Sequence, residues 1–481
     1  MINPKQWKTL YRQVPQGLQT VTQTLTQTLT QTLDVALLGW AAMVGIITGL
    51  IGTFFQIWVH QILNQRELLA RSLSDRPWLY WTIPCLISAG MVTLSFWLMR
   101  KFSPDTGGSG IPQIEGRLEG IMLFNWQRVL PIKFFGGLLS LGAGMVGGFE
   151  GPTIQIGGSI GLMVGQWFRA NQEQVRVLIA SGAAAGLTAA FNAPLAGIVF
   201  ITEEVKPTFL NWDVAYRAIA IACTFATIVE RSLRGQGSVI SLTKYVRVPL
   251  ETLWIFVLLG IFFGILGYLF NHYLFRALDW FSGLPSFPYR ATGLWVGGTI
   301  GLLSLFSIPI TGTGEAAIMW AFNNEIPSVI LILVFILRFF LTLFCYGSGA
   351  IGGIFAPMLA IATIASLGFA KEIHHFFPSQ VPEPGVMALA GMGALVSATV
   401  RAPLTSILLT IEMTDNYFVI LPLLITCLIS SMVAQVLGGQ PIYTVLLQRI
   451  IAKQAKLKPT VEIKDEENGH HDNDITENRS H

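Results

Sequence analysis

Charged residues are scarce in this chain. Asp, Glu, Lys and Arg make up 12% of its 481 residues, against roughly 25% in soluble domains. Hydrophobic residues make up 52%, and the mean hydropathy is +0.58. These values exclude a soluble or a disordered chain and predict an integral membrane protein. The net charge of +3 gives no argument for nucleic-acid binding.

Cysteine is also rare, and the few cysteines are far apart. Cys85, Cys223, Cys345 and Cys427 each lie alone within an apolar segment. Isolated cysteines give neither a disulfide framework nor a set of metal ligands. We therefore expect buried free thiols, no metal site and no cofactor.

The apolar stretches recur from residue 35 to residue 438, and several are shorter than the ~20 residues that a spanning helix needs. We interpret them as short, tilted or re-entrant helices. No cleavable signal peptide is visible, because the first apolar run starts too late and is too long. Basic residues flank the apolar region on both sides, which predicts that both termini are cytoplasmic: Lys5, Lys8, Arg12, Arg449, Lys453, Lys456 and Lys458.

Two polar segments enclose the apolar region. Residues 1–34 contain a Thr-Gln-Thr-Leu repeat at 22–33, which suits either an interfacial helix or a disordered arm. Residues 451–481 end in a stretch with almost no apolar residues, and we expect a largely disordered cytoplasmic tail.

The region between these ends contains an internal duplication, which divides it into repeats at 35–240 and 250–450. Collinear matches at nearly constant spacing are hard to obtain by chance. Repeats that each contain a helix broken by Gly and Pro are typical of secondary transporters, whose site lies at the repeat interface. The matched positions are Gly45, Gly49 and Gly52 with Gly260, Gly264 and Gly267; Gly108 and Gly110 with Gly312 and Gly314; Lys133, Gly148 and Pro152 with Arg338, Gly353 and Pro357; and Ala193, Pro194 and Glu203 with Ala402, Pro403 and Glu412.

The breaks have the composition of anion sites. Residues 144–161 hold one carboxylate, Glu150, among glycines, and no other acid occurs between Glu119 and Glu173. Gly lets the backbone approach a ligand, and Pro suits the first turn of a helix. Helix N-termini attract anions through free N–H groups and the helix dipole. Similar breaks stand at 107–112, 352–357 and 438–443, so converging helices would hold a small anion by partial charges alone.

These motifs, in this order and together with Phe191-Asn192-Ala193-Pro194-Leu195 and Arg401-Ala402-Pro403-Leu404, resemble the CLC chloride channel and transporter family. The resemblance covers roughly 35–455 and is to the prokaryotic branch without CBS domains. It implies an all-α membrane fold of two inverted repeats with short, tilted and re-entrant helices. It also implies a homodimer in which each subunit has its own pathway.

The resemblance also implies roles for particular residues. The hydroxyls of Ser109 and Tyr443 and the amides of Ile354 and Phe355 would bind the central anion, and Glu150 would be the gate and proton acceptor. An ionised carboxylate can occupy an anion's place and lose it on protonation, which links proton and chloride occupancy. The remaining selectivity-motif positions are Gly108, Gly110, Ile111, Pro112, Gly148, Phe149, Gly151, Pro152, Gly353, Ala356 and Pro357.

Two further features bear on the mechanism. Phe149 stands where the family usually has Arg or Lys, and the missing cation is expected to alter gating pH or slow turnover.

Of the adjacent acids Glu203 and Glu204, only one can face a proton route, since neighbouring helical side chains point about 100° apart. The resemblance makes Glu204 the internal proton-transfer residue, and we expect a structural role for Glu203.

The sequence therefore predicts an electrogenic antiporter that exchanges chloride for protons, in the inner or plasma membrane, with membrane lipid and a second subunit as its partners. The alternative is a passive voltage- or pH-gated chloride channel of the same fold. An intramembrane enzyme lacks support, because no catalytic pairing of side chains is visible. Ser109 and Tyr443 favour chloride over fluoride, whereas nitrate is left open.

Overall fold

The computed structural model describes residues 16–205, 209–240, 248–306, 308–377 and 383–457, with side chains from residue 35 to residue 455. Helices dominate this part of the chain, and its β-structure is a single isolated bridge. The predicted all-α class is confirmed. The polar end of the tail, from residue 458, lies outside the described residues, as do residues 1–15.

The described residues of the first repeat form eight α-helices and a π-helical turn at Ile201–Val205. The backbone of the predicted N-terminal segment is helical from residue 16 and continues into the first spanning helix. The helices are α1 (Gln16–Ser72), α2 (Pro77–Phe102), α3 (Ile111–Leu118), α4 (Trp126–Gly142), α5 (Glu150–Trp167), α6 (Gln172–Phe191), α7 (Pro194–Phe200) and α8 (Trp212–Arg234).

The second repeat follows the same alternation of long and short helices. These are α9 (Leu253–Ser282), α10 (Ser286–Arg290), α11 (Thr292–Leu303), α12 (Glu315–Asn323), α13 (Ser328–Gly347), α14 (Phe355–Phe376), α15 (Pro384–Val400), α16 (Pro403–Thr414), α17 (Ile420–Val436) and α18 (Ile442–Leu457). Across the described residues of both repeats, eight helices are long and apolar enough to cross a membrane. The others are shorter or more polar, as the interrupted apolar stretches predicted.

The two repeats touch through equivalent residues. Gly148 and Gly353 form the isolated antiparallel bridge, in which each N–H donates to the other's carbonyl, at N···O distances of 2.8 and 2.7 Å. Reciprocal contacts of this kind arise when two units are related by a two-fold axis. The N-termini of α5 and α14 therefore meet at the centre of the molecule, where the duplication placed the site.

A second reciprocal contact joins α7 and α16. Glu412, in α16, accepts hydrogen bonds from the N–H groups of Leu195 and Ala196 at the start of α7. Glu203, just after α7, accepts from the N–H groups of Leu404 and Thr405 at the start of α16. Each carboxylate thus caps the positive end of the other repeat's helix. The expected structural role of Glu203 is confirmed.

Removing either cap should destabilise the fold. We expect Glu203→Gln and Glu412→Gln each to cost about 1–3 kcal/mol, since each loses charge-assisted hydrogen bonds at a helix N-terminus. Thermal unfolding in detergent measures the effect. The matched control is Glu67→Gln, because the exposed pair of Glu67 with Arg71 contributes little. Equal unfolding temperatures for all three variants would contradict the proposed capping.

Candidate functional site

Two pairs of glycines form the loops that lead into the site. Gly108 and Gly110 have φ values of +64° and +93°, and their repeat equivalents Gly312 and Gly314 have +79° and +112°. This left-handed backbone favours glycine, because other residues meet a steric penalty there. The loop at 107–110 turns back sharply at these glycines and places Ser109 just before α3.

Two buried basic side chains donate hydrogen bonds to the backbone carbonyls of these loops. The Lys133 ammonium donates to the carbonyls of Thr106 and Gly108 at 2.9 and 2.8 Å. Arg338, its repeat equivalent, donates to the carbonyls of Pro309, Thr311 and Gly312. Both side chains are fully buried. Both side chains therefore support the loops from inside the protein and do not extend toward the surface.

The Glu150 side chain is fully buried at the junction of the repeats. One of its oxygens, Oε1, accepts a hydrogen bond from the N–H of Ala356 at 3.2 Å, and the carboxylate also contacts the N–H of Phe355. The other oxygen, Oε2, has no hydrogen-bond partner among the described residues. The carboxylate therefore lies on the N-terminus of α14, where an anion would be expected.

The bridged glycines make room for this carboxylate. A methyl group added at Gly148 would lie 1.9 Å from Glu150 Oε2, and one added at Gly353 would lie 2.4 Å from Oε1. Such distances are far below contact, so any larger residue would displace the carboxylate. Both glycine motifs are thus required by the position of Glu150.

The two hydroxyl-bearing residues, Ser109 and Tyr443, contact the starts of α5 and α14, respectively. Ser109 is 1% exposed, and its loop touches the start of α5, since a methyl group on Gly151 would meet Ser109 Cβ at 2.8 Å. Tyr443 is fully buried, and its ring stacks on Phe355 with centroids 6.1 Å apart. Within the part of the chain that the structure describes, the Tyr443 hydroxyl has no hydrogen-bond partner. A buried donor without a partner is costly unless a ligand satisfies it.

The main-chain donors differ in part from those predicted. The sequence motif assigned the amides of Ile354 and Phe355 to the anion. In the structure the Phe355 amide contacts Glu150, and the Ala356 amide, predicted only as a motif position, donates to the same carboxylate. Glu150 therefore uses main-chain donors that an anion could also use. The carboxylate and the anion can thus compete for the same position at the start of α14.

Two residues that no sequence motif marked, His60 and Glu315, form a pair near Phe149. His60 Nε2 lies 3.2 Å from a Glu315 carboxylate oxygen, and the His60 ring lies 6.0 Å from the ring of Phe149. His60, Glu315 and Arg66 line a cavity at this end of the molecule. Phe149 is fully buried behind them, so an aromatic ring stands where a cation was expected.

Glu204, the predicted internal proton-transfer residue, follows α7. It lies in the π-helical turn there, is 8% exposed, and interacts electrostatically with Tyr443. Its neighbour Glu203 points to α16. The two acids thus face different partners, as the helical geometry predicted.

Comparison with known proteins identifies the family. A family model described as voltage gated chloride channel matches residues 91–435. The chain belongs to this family. Among its relatives, the H(+)/Cl(-) exchange transporter ClcA of Vibrio parahaemolyticus is 47% identical over 422 residues, which cover 87% of this chain and 90% of that protein. ClcA of Yersinia pestis is 45% identical over 425 residues, with coverages of 88% and 89%. The predicted CLC resemblance is confirmed.

Solved structures agree with this CLC assignment. A crystal structure of a slow cyanobacterial Cl-/H+ antiporter has a TM-score of 0.86 and 60% sequence identity, and the match covers 87% of this chain and 99% of that one. A CLC-type fluoride/proton antiporter has a TM-score of 0.70 at 19% identity, with coverages of 85% and 97%. The second likeness concerns the fold alone.

Proposed function

We propose that this CLC protein is an antiporter that exchanges chloride for protons. The observation that carries the proposal is the position of Glu150, whose carboxylate lies on the N-terminus of α14 and uses main-chain donors there. An ionised Glu150 excludes chloride from this place. A protonated Glu150 leaves the place, which chloride can then occupy. Each occupant thereby changes the affinity for the other, as exchange requires.

The central anion site lies below this gate. Its donors are the hydroxyls of Ser109 and Tyr443 and the amides at the start of α14, including Ile354. None of these groups carries a full charge, so the anion is held without being trapped. The cycle uses the chloride and the proton as substrates and needs no cofactor.

The proton takes a separate inner route in this proposal. Glu204 receives protons from the inner side and exchanges them with Glu150, while chloride passes Tyr443. A buried acid within electrostatic reach of Tyr443 supports this assignment. The relatives named as exchange transporters favour exchange over the passive channel. Chloride and protons that move in opposite directions carry charge in the same direction, so the exchange is electrogenic.

The setting of the protein follows the same family. We propose a homodimer in the cell's inner or plasma membrane, in contact with lipid and with both termini in the cytoplasm. The basic residues after the last apolar stretch, such as Arg449 and Lys453, support this orientation. Exposed apolar side chains of the spanning helices, such as Leu258, Ile332 and Leu428, suit a lipid or subunit interface.

Reconstituted vesicles separate exchanger from channel. With a chloride gradient across the vesicle membrane and no initial proton gradient, an exchanger moves protons and builds a pH difference, which a pH electrode records. A channel moves chloride without protons. Chloride flux without coupled proton movement would overturn the antiporter proposal and favour the channel.

Phe149 makes a further prediction about rate. We expect Phe149→Arg to speed chloride transport by about 3- to 10-fold, since one nearby cation contributes roughly 1 kcal/mol of attraction for an approaching anion. Initial chloride efflux from vesicles measures the change. Phe149→Met is the matched control, because it opens the aromatic contacts with His60 and Phe191 without adding charge. An equal effect of both variants would assign the change to packing.

A further inference from the structure

A second tyrosine contacts the serine of the central site. Tyr346, near the end of α13, is 7% exposed, and its Oη lies 3.5 Å from Ser109 Oγ. The same phenol oxygen also contacts the backbone N–H of Ser109. Tyr346 therefore touches both the hydroxyl and the backbone N–H of this one residue. Nothing in the sequence pattern marked it, because it stands as a single tyrosine in an apolar segment.

The hydroxyl of Ser109 has a second neighbour that donates to it. The N–H of Ile111, at the start of α3, donates to Ser109 Oγ at 3.4 Å. Both contacts of the serine oxygen are long for hydrogen bonds, so each is weak by itself. Together, however, they can occupy both lone pairs of the serine oxygen.

A hydroxyl has one proton to donate and two lone pairs that accept. When Ile111 and Tyr346 donate to the two lone pairs, the proton is the only part of the serine hydroxyl that is still available for a hydrogen bond. This proton then points away from both donors and toward the central site. Donation by Tyr346 also polarises the serine O–H, which makes it a better donor. Tyr443 differs, because none of the described residues forms a hydrogen bond with its hydroxyl.

We propose that Tyr346 is a positioning residue that orients the Ser109 hydroxyl toward the bound anion and thereby sets chloride affinity and selectivity. The inference rests on the proposed central anion site. A fixed donor suits a spherical chloride at one location. A serine that is free to rotate can also follow the separate oxygens of nitrate, so loss of Tyr346 should favour nitrate over chloride.

The test is a double-mutant cycle read by isothermal titration of chloride and of nitrate into the whole detergent-solubilised protein. We expect Tyr346→Phe to weaken chloride binding by about 3- to 10-fold, which corresponds to one hydrogen bond, and to raise the nitrate-to-chloride affinity ratio. In the Ser109→Ala background, Tyr346→Phe should change chloride affinity by less than about twofold, since residues that act as one unit are not additive.

Each result has a separate meaning. Unchanged affinity and selectivity in Tyr346→Phe, with a loss in Ser109→Ala, would overturn the inference and keep the anion site. Additive losses would overturn it too, since Tyr346 would then act on the anion without Ser109. No loss in Ser109→Ala would overturn the site itself. Tyr216→Phe, on the exposed face of α8, is the control for removing a phenol hydroxyl. If Tyr346→Phe elutes as an aggregate, Tyr346→Met provides a second variant without the hydroxyl.

Discussion

Vesicles that contain the Glu150→Ala protein are expected to carry chloride but not protons. The carboxylate lies on the N-terminus of α14, and one of its oxygens accepts no hydrogen bond from the described residues. Its removal takes away both the group that binds the transported proton and the group that competes with chloride. The main-chain amides and the hydroxyls of Ser109 and Tyr443 remain, so the anion keeps its site.

The substitution should have a large effect on proton transport and a small effect on chloride transport. Proton uptake driven by a chloride gradient should fall to the leak of protein-free vesicles, while chloride flux should persist. Glu150→Gln is the matched variant, because it keeps the volume and loses the charge and the proton exchange. Proton pumping by either variant would remove Glu150 from the mechanism, whereas loss of chloride flux in both would indicate a structural role.

Proton transport should also stop in Glu204→Gln. In the proposed route this residue is the inner station for protons, and it is buried in the turn after α7 within electrostatic reach of Tyr443. Glutamine keeps the shape of the side chain but does not exchange a proton at neutral pH. Chloride flux should stay within about fivefold of wild type, a change of roughly 1 kcal/mol in the barrier.

The control for this prediction is Glu119→Gln, which removes an exposed acid that follows α3. Both variants are reconstituted into the same vesicles, and proton and chloride movements are recorded together. Coupled proton pumping by Glu204→Gln at the wild-type ratio would assign the inner proton route to another group. A loss of pumping in Glu119→Gln as well would remove the specificity of the result.

Much of the fold could be predicted because its signals are local or repeated. Gly and Pro mark the breaks before α3, α5 and α14 through backbone sterics alone, and each predicted helix begins where these residues place it. The duplication added long-range information, because equivalent residues in two related units make equivalent contacts. Hence the reciprocal pairs of Gly148 with Gly353 and of the caps Glu203 and Glu412 follow the matched positions.

The parts that were missed depend on contacts between distant segments. The bond from the Ala356 amide to Glu150, and the contact of Tyr346 with Ser109, join residues more than 200 positions apart. No local pattern reports such pairs. Glu115 is only 8% exposed, because the short helix α3 packs against α18. Cys85 was predicted to be buried and is partly exposed.

Crystals grown in bromide provide the most direct test of the central claim, because anomalous scattering locates the halide itself. The proposal predicts a bromide peak within hydrogen-bonding distance of Ser109 Oγ, Tyr443 Oη and the amides at the start of α14. In Glu150→Gln crystals a further peak should appear where the wild-type carboxylate lies, over Gly148 and Gly353. Bromide bound away from these groups, or no change in bromide position when Glu150 is replaced, would contradict the claim.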